Sequence, residues 1–178
     1  NDNGLKFLVI YLIVEQNFPA SVRDRFILLV GALFAVPFVL FSLAGGYLAD
    51  RYSKRSVTIC TKVFEVGVGL FAIAALAAGN LPMQAAAVFL ISTQGAFFGP
   101  SKYGLLPELL PDSRLSWGNG VIELGTFLAS ITAVMFAGFL AGTFRGRHVW
   151  SGVVFLGLTM AGLIASFGIS RVPAANLA

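Results

Sequence analysis

The sequence holds little of the chemistry that most enzymes and metalloproteins use. Only 11% of its 178 residues are charged, and it contains one cysteine, Cys60, and one histidine, His148. A lone cysteine excludes an intrachain disulfide and supplies no cluster of metal ligands. The sequence also lacks the Gly-x4-Gly-Lys-Ser/Thr loop that binds nucleotide phosphates, so an ATP-driven pump is not expected. It therefore predicts no metal centre and no cofactor.

The sequence is rich in hydrophobic residues, which form long uncharged runs. Hydrophobic residues make up 57% of the chain, and the mean hydropathy is +0.86. Uncharged runs cover residues 26–49, 66–101, 124–144 and 148–170, each at least about the 20 residues that cross a bilayer as a helix. Gly79-Asn80-Leu81-Pro82 divides the second run with a turn. We therefore predict an all-α membrane protein with six helices, over roughly residues 1–16, 26–49, 57–78, 82–99, 117–142 and 149–169, of which the first is a truncated span.

The basic residues predict the orientation of these helices. A net charge of +4 suggests an anionic partner in a soluble protein, but in a membrane protein the placement of Lys and Arg mainly records topology, and no nucleic-acid partner is expected. More basic residues lie on one side of the membrane than on the other, and this excess places residues 50–55 and both ends of the segment in the cytoplasm. Residues 1–171 are expected to form one domain, and residues 172–178 the start of a linker. Six basic residues lie on the cytoplasmic side (Arg51, Lys54, Arg55, Lys102, Arg114 and Arg171) and four on the other (Arg23, Arg25, Arg145 and Arg147).

The turn between the second and third helices, residues 46–55, carries a recognisable pattern. It reads Gly-Tyr-Leu-Ala-Asp-Arg-Tyr-Ser-Lys-Arg and resembles the signature loop of the major facilitator superfamily, with Ser53 in the place of the second Gly. The resemblance implies the amino-terminal half of a twelve-helix transporter, with substrate bound between two halves. It also implies a charge network that gates the transporter, formed by Gly46, Asp50, Arg51, Lys54 and Arg55. The simpler alternative is that the three basic residues only anchor the loop.

Ionisable side chains inside predicted spans indicate function, since each costs about 2.5–3.5 kcal/mol on insertion scales unless it faces protein or water. Asp2 and Lys6 are four residues apart, and Lys62 and Glu65 are three apart, so each pair could neutralise itself on one helix face. Glu123 has no local basic residue. We expect it to be either a functional carboxylate or a buried, hydrogen-bonded one.

Three segments sharpen the resemblance. They are residues 1–7 (Asn-Asp-Asn-Gly-Leu-Lys-Phe), residues 98–109 with their Pro-Ser-Lys-Tyr-Gly block, and residues 119–123 (Asn-Gly-Val-Ile-Glu). Together they resemble the bacterial lysophospholipid transporters, a family that flips lysophosphatidylethanolamine and related lysolipids inward across the inner membrane. Some members are fused to an acyltransferase and an acyl-acyl carrier protein synthetase. The resemblance thus implies a lysophospholipid substrate, contact with membrane lipids, a second transporter half and an associated acyltransferase.

The same resemblance implies roles for four residues. Asp2 and Asn3 would be polar groups of the first-helix cavity, Lys102 a cationic contact for the headgroup or a gating residue, and Glu123 a cavity carboxylate. A zwitterionic headgroup offers a phosphate to a lysine and an ammonium to an acidic residue. For Lys102 the alternative is an anchor at the cytoplasmic helix end.

Three other functions are considered. Proton-coupled transport of a drug or small molecule on the same fold is disfavoured, because drug antiporters commonly carry an Arg three residues before a Gln-Gly pair, and Ile91 stands there before Gln94-Gly95. The acyltransferase activity of fused relatives needs a His and an Asp separated by four residues, but His148 is followed at that spacing by Val153. A membrane scaffold has no use for an embedded carboxylate such as Glu123. We expect no enzyme activity.

Overall fold

The computed structural model describes residues 2–170, and these form a bundle of helices. Asn1 and residues 171–178, which include Arg171 and the predicted linker, lie outside the described residues. A 3₁₀ turn at Asp112–Arg114 precedes the sixth helix. The helices are α1 (Asp2–Glu15), α2 (Ala20–Arg51), α3 (Lys54–Ala77), α4 (Leu81–Gly104), α5 (Leu106–Leu109), α6 (Leu115–Thr143) and α7 (Val149–Phe167).

All six predicted helices are present, but two of them extend about five residues or more beyond a predicted end. The predicted start of α2 followed the apolar run, whereas the helix begins at Ala20 and includes a polar first turn that ends in Arg23 and Asp24. The predicted end of α4 preceded Pro100, yet the helix continues through that proline to Gly104. A proline lacks only its own N–H, so one helical hydrogen bond is lost while the turns on either side remain.

The helical hydrogen bond that is lost at Pro100 lies where α2 packs closely on α4. Pro100 leaves the carbonyl oxygen of Ala96 without its helical donor, since helical bonds run from residue i to residue i−4. A Cβ atom placed on Gly45 of α2 would lie 2.5 Å from that oxygen. Only a glycine allows this approach, and it lets α2 pack tightly along α4.

The helices are arranged around α4, which packs against both α2 and α3, while α3 packs on α7 and α1 on α6. Within residues 2–170, five helical segments are long and apolar enough to cross a membrane, and α1, with 14 residues, is shorter. Large apolar side chains cover the outside of the bundle, as with Leu43, which is 87% exposed, whereas Glu65 and Gln94 are buried. This distribution indicates a multi-pass membrane protein.

Candidate functional site

A polar cavity of about 580 Å³ opens between α1, α3, α4 and α6. Three of the four residues expected to contact substrate, Asp2, Asn3 and Lys102, line it. Lys62, Glu65 and Gln94 line it as well. The remaining wall is formed mainly by small and apolar residues of α6, with Phe38 of α2, so the charged groups are concentrated on α1, α3 and α4.

The α1 side of the cavity carries Asp2 and Asn3. The amide nitrogen Nδ2 of Asn3 donates to Oγ of Ser130 on α6 at 3.3 Å. Asp2 lies against Gly95 of α4, where an added Cβ would come within 2.8 Å of the carboxylate oxygen Oδ2. The missing side chain of Gly95 therefore leaves the space that the Asp2 carboxylate occupies.

Lys6 does not form the predicted pair with Asp2 in the described part of the chain. Its Nζ lies 4.0 Å from the ring centroid of Phe34 and 4.7 Å from that of Phe7. These aromatic faces attract the ammonium through their quadrupoles. The four-residue spacing permitted the pair with Asp2, but Lys6 turns towards α2 instead.

The α3 side of the cavity holds a charge pair that neutralises itself, as the three-residue spacing predicted. Nζ of Lys62 lies 2.6 Å from Oε2 of Glu65, and Nε2 of Gln94 donates to the same oxygen at 3.1 Å. Glu65 is 1% exposed, so both contacts compensate its loss of solvation. Sequence reasoning missed Gln94 as a partner because it lies on another helix.

Lys102 differs from Lys62 in having no acidic partner. Its Nζ donates to Oγ1 of Thr126 on α6 at 3.0 Å, and Thr126 in turn donates to the carbonyl oxygen of Ile122 at 2.7 Å. No carboxylate among residues 2–170 lies within 4.0 Å of this ammonium. The cavity wall thus carries a cation that is hydrogen-bonded but not neutralised.

Glu123, the fourth expected contact, does not line the cavity. Its Oε1 accepts a hydrogen bond from the hydroxyl of Tyr103, and the residue is exposed. The cavity face of α6 includes Ile122, Thr126 and Ser130. Residue 123 is rotated about 100° from residue 122 in a helix with 3.6 residues per turn, which carries its side chain towards the end of α4.

The loop between α2 and α3 is only two residues long, and its basic side chains are mostly engaged. Lys54 forms an ion pair with Glu108 of α5, and the two side chains are only 10% and 15% exposed. Arg55 donates through Nε to the carbonyl oxygen of Ile169 at 2.7 Å and through Nη2 to that of Phe167 at 3.3 Å. These contacts join the start of α3 to α5 and to the end of α7.

The other residues expected to take part in gating, Gly46, Asp50 and Arg51, lie in the last turns of α2. Arg51 donates to the hydroxyl of Tyr47 within its own helix, and Asp50 is exposed. Gly46 has open space around the position of a Cβ. Ser53 has φ −54°, so the left-handed turn that would favour a glycine is not used here.

A second ionic cluster lies at the opposite end of the bundle. Glu15 accepts a hydrogen bond from Nε of Arg145 at 3.0 Å, and Nε2 of His148 lies 3.6 Å from its other oxygen. This contact ties the end of α1 to the loop before α7. Within residues 2–170 no group of three or more His, Cys, Asp and Glu side chains is placed to hold a metal ion.

Comparison with known proteins gives a consistent picture. The family model of the Major Facilitator Superfamily matches residues 5–176. The lysophospholipid transporter of Photorhabdus laumondii is 30% identical over 140 residues, which cover 79% of this chain and 33% of that protein. Those of Citrobacter koseri and Escherichia coli O1:K1 are 28% and 27% identical over 176 residues, covering 98% of this chain.

The chain is much shorter than these relatives. It spans about 41% of the length of the Citrobacter and Escherichia proteins. No solved structure matches the chain significantly.

Proposed function

The chain belongs to the major facilitator superfamily, and from this premise we propose that it is the amino-terminal half of a lysophospholipid flippase. The helices of residues 2–170 agree with one half of such a transporter. In this proposal the protein moves lysophospholipids of the lysophosphatidylethanolamine class inward across the bacterial inner membrane. Alternating access arises when two halves rock around a central cavity. The names of the relatives support the substrate class.

The observation that carries the proposal is the unneutralised ammonium of Lys102 in a cavity that also holds Asp2 and Asn3. A cation without an acidic partner is suited to a phosphate, whose oxygens accept charge-assisted hydrogen bonds. The carboxylate of Asp2 suits the ammonium of an ethanolamine headgroup. Lys102 lies on α4 and Asp2 on α1, and both line the same cavity. One headgroup would therefore contact both.

The rest of the cavity would contribute shape and polarity rather than net charge. Lys62 and Glu65 neutralise each other, and Gln94 holds the carboxylate in place. The α6 wall offers apolar and small side chains such as Ala129 and Ala133. A single acyl chain can lie along such a wall or remain in the surrounding lipid.

The loop between α2 and α3 would act as the gate. The ion pair of Lys54 with Glu108 and the contacts of Arg55 with α7 join three parts of the half at one end. These contacts keep this end of the half together as it rocks relative to a second half, so contacts that form between the two halves there would favour one state over the other. Asp50 and Arg51, which are exposed, are free to contact that second half.

Drug antiport is the competing prediction, but the chain lacks the basic residue that such antiporters commonly carry on the fourth helix. Ile91 stands where such antiporters commonly carry an Arg, and it is only 3% exposed in the apolar core. Its neighbours there include Val88 and Leu5. This position therefore disfavours drug antiport.

The proposal is tested by inward movement of labelled lysophosphatidylethanolamine into spheroplasts that express the complete transporter containing this chain. Asp2→Asn keeps the size of the side chain and removes its charge, so we expect uptake to fall strongly with unchanged protein in the membrane. Ser42→Asn, at an exposed position of α2, is the control and should transport normally. Well-folded wild type without uptake would disprove the substrate assignment.

A further inference from the structure

We propose that Tyr103 and Glu123 are positioning residues that hold the Lys102 ammonium at the cavity wall. This inference rests on the proposed function, in which Lys102 binds the phosphate of the headgroup. It gives Glu123 a role different from that of a substrate carboxylate. Neither residue lines the cavity, and both lie next to a residue that does.

The first step is the geometry around Lys102. Its Nζ lies 4.8 Å from the ring centroid of Tyr103 and donates to Oγ1 of Thr126 at 3.0 Å. An ammonium within about 6 Å of an aromatic centroid is attracted to the ring face. The ring of Tyr103 and the hydroxyl of Thr126 thus fix the side chain of Lys102. This side chain has four rotatable bonds and would otherwise move freely in the cavity.

The second step is what holds the ring. Tyr103 is 39% exposed, so burial alone does not fix it. Its hydroxyl donates to Glu123 of α6. The bond needs an acceptor oxygen at this position, which a carboxylate or a side-chain amide can supply. Glu123 therefore orients the ring on which the Lys102 ammonium rests.

The third step is that both contacts connect the same two helices. Lys102 and Tyr103 are adjacent near the end of α4, and Glu123 and Thr126 are three residues apart on α6, which places them on neighbouring parts of one helix surface. The two hydrogen bonds bridge α4 and α6 just beyond Pro100. They hold this end of α4 in register with α6 and thereby set the direction of the Lys102 side chain.

The experiment compares conservative and disruptive variants by the kinetics of lysophosphatidylethanolamine uptake in the complete transporter. Tyr103→Phe keeps the ring and removes the hydroxyl, and Glu123→Ala removes the acceptor. We expect each to raise KM about three- to tenfold, with the maximal rate changed less than about twofold, because a hydrogen bond that positions a binding group is lost. Glu123→Gln keeps an acceptor oxygen and should restore a KM near that of the wild type.

The double variant Tyr103→Phe with Glu123→Ala separates the two roles of Glu123. If the residues act as one unit, the double variant has the same KM as either single variant. A substrate-binding Glu123 gives additive losses instead, and Glu123→Gln then transports as poorly as Glu123→Ala. Either result would overturn the proposal.

A measurement that does not need transport tests the same geometry. The rate at which an amine-reactive ester acylates Lys102, relative to Lys62 in the same molecule, is measured by mass spectrometry of the purified transporter. We expect Tyr103→Phe to change this ratio by about twofold or more, because the ammonium loses its fixed aromatic contact, and Glu123→Gln to leave it unchanged. An unchanged ratio in Tyr103→Phe would refute the positioning role, even if lysolipid proves not to be the substrate.

Discussion

Lys54 and Lys102 are two lysines in similar settings with different partners. Lys54 is buried and Lys102 is half-buried, and each contacts a residue far away in sequence. Lys54 lies in an ion pair with Glu108, so its charge is neutralised within the protein. Lys102 lies beside the neutral hydroxyl of Thr126 and the ring of Tyr103. The first arrangement holds structure together, and the second leaves a positive charge available to a ligand.

The partners of a lysine therefore distinguish a structural role from a ligand-binding role, even when no ligand is bound. A buried charge that already has its counterion gains little from a second anion, whereas an unneutralised one gains both attraction and hydrogen bonds. Lys62 follows the first pattern although it lines the same cavity as Lys102. Lining the cavity is therefore not enough for a lysine to bind an anionic ligand. The lysine must also lack a counterion within the protein.

The largest effect should come from breaking the Lys54 pair. Glu108→Ala leaves Lys54 covered and without its carboxylate, which we expect to lower stability by about 3–5 kcal/mol. The thermal unfolding midpoint of the purified transporter measures this loss. The double variant Lys54→Met with Glu108→Leu removes both charges and should recover most of the stability. An unchanged midpoint in Glu108→Ala would mean that the pair is not a structural contact.

The second effect should come from removing the Lys102 charge. Lys102→Ala deletes no ion pair, so we expect the unfolding midpoint to change little, while lysolipid uptake falls about tenfold or more, equivalent to about 1.4 kcal/mol of lost binding. Lys62→Ala is the comparison, and it should lose stability because Glu65 is left buried without its cation. A Lys102→Ala protein that transports normally but has a lowered unfolding midpoint would mean that Lys102 is a structural residue and not a substrate contact.

A smaller effect should follow from loss of the Thr126 hydroxyl. Thr126→Val keeps the shape and the Lys102 charge but removes one hydrogen bond to Nζ, a loss of about 0.5–1.5 kcal/mol. We expect KM for lysolipid to rise several-fold. Thr132→Val is the matched control, since the Thr132 hydroxyl contacts only the carbonyl oxygens of Leu128 and Ala129 in its own helix. Equal effects of the two changes would contradict a specific role for Thr126.

The smallest effect should come from Gly104→Ala. An added Cβ would lie 2.6 Å from Cε of Lys54, the far part of a flexible side chain that can move aside. We expect a lowered unfolding midpoint, but by much less than in Glu108→Ala, with uptake nearly unchanged. Gly120→Ala has open space around it and should show no loss. Destabilisation as large as that of Glu108→Ala would indicate that the Lys54 side chain cannot adjust.

The sequence predicted the helices and the short-range pair of Lys62 with Glu65, because both depend on local spacing. It did not predict that Glu108 pairs with Lys54 or that Gln94 binds Glu65, since these partners are 54 and 29 residues apart and meet only through helix packing. Identity and spacing alone do not show which helices become neighbours. The composition nonetheless indicated that such embedded charges would need partners.

Two further residues show what the sequence pattern does not determine. Ser53 stands where the superfamily pattern has its second glycine, but the loop takes a conformation open to any residue. The resemblance to the lysophospholipid transporters implied that Glu123 is a cavity carboxylate. Its position in the helical turn instead directs it to Tyr103, a contact that depends on where α4 ends.

The most direct test of the central claim is equilibrium binding to the purified complete transporter of two ligands with the same acyl chain. One is lysophosphatidylethanolamine, and the other is a monoacylglycerol, which lacks the phosphate. We predict that the wild type prefers the lysophospholipid by about tenfold or more and that Lys102→Ala binds both nearly equally, since Lys102 supplies the contact to phosphate. A preference that survives Lys102→Ala unchanged would contradict the assignment of the phosphate to Lys102.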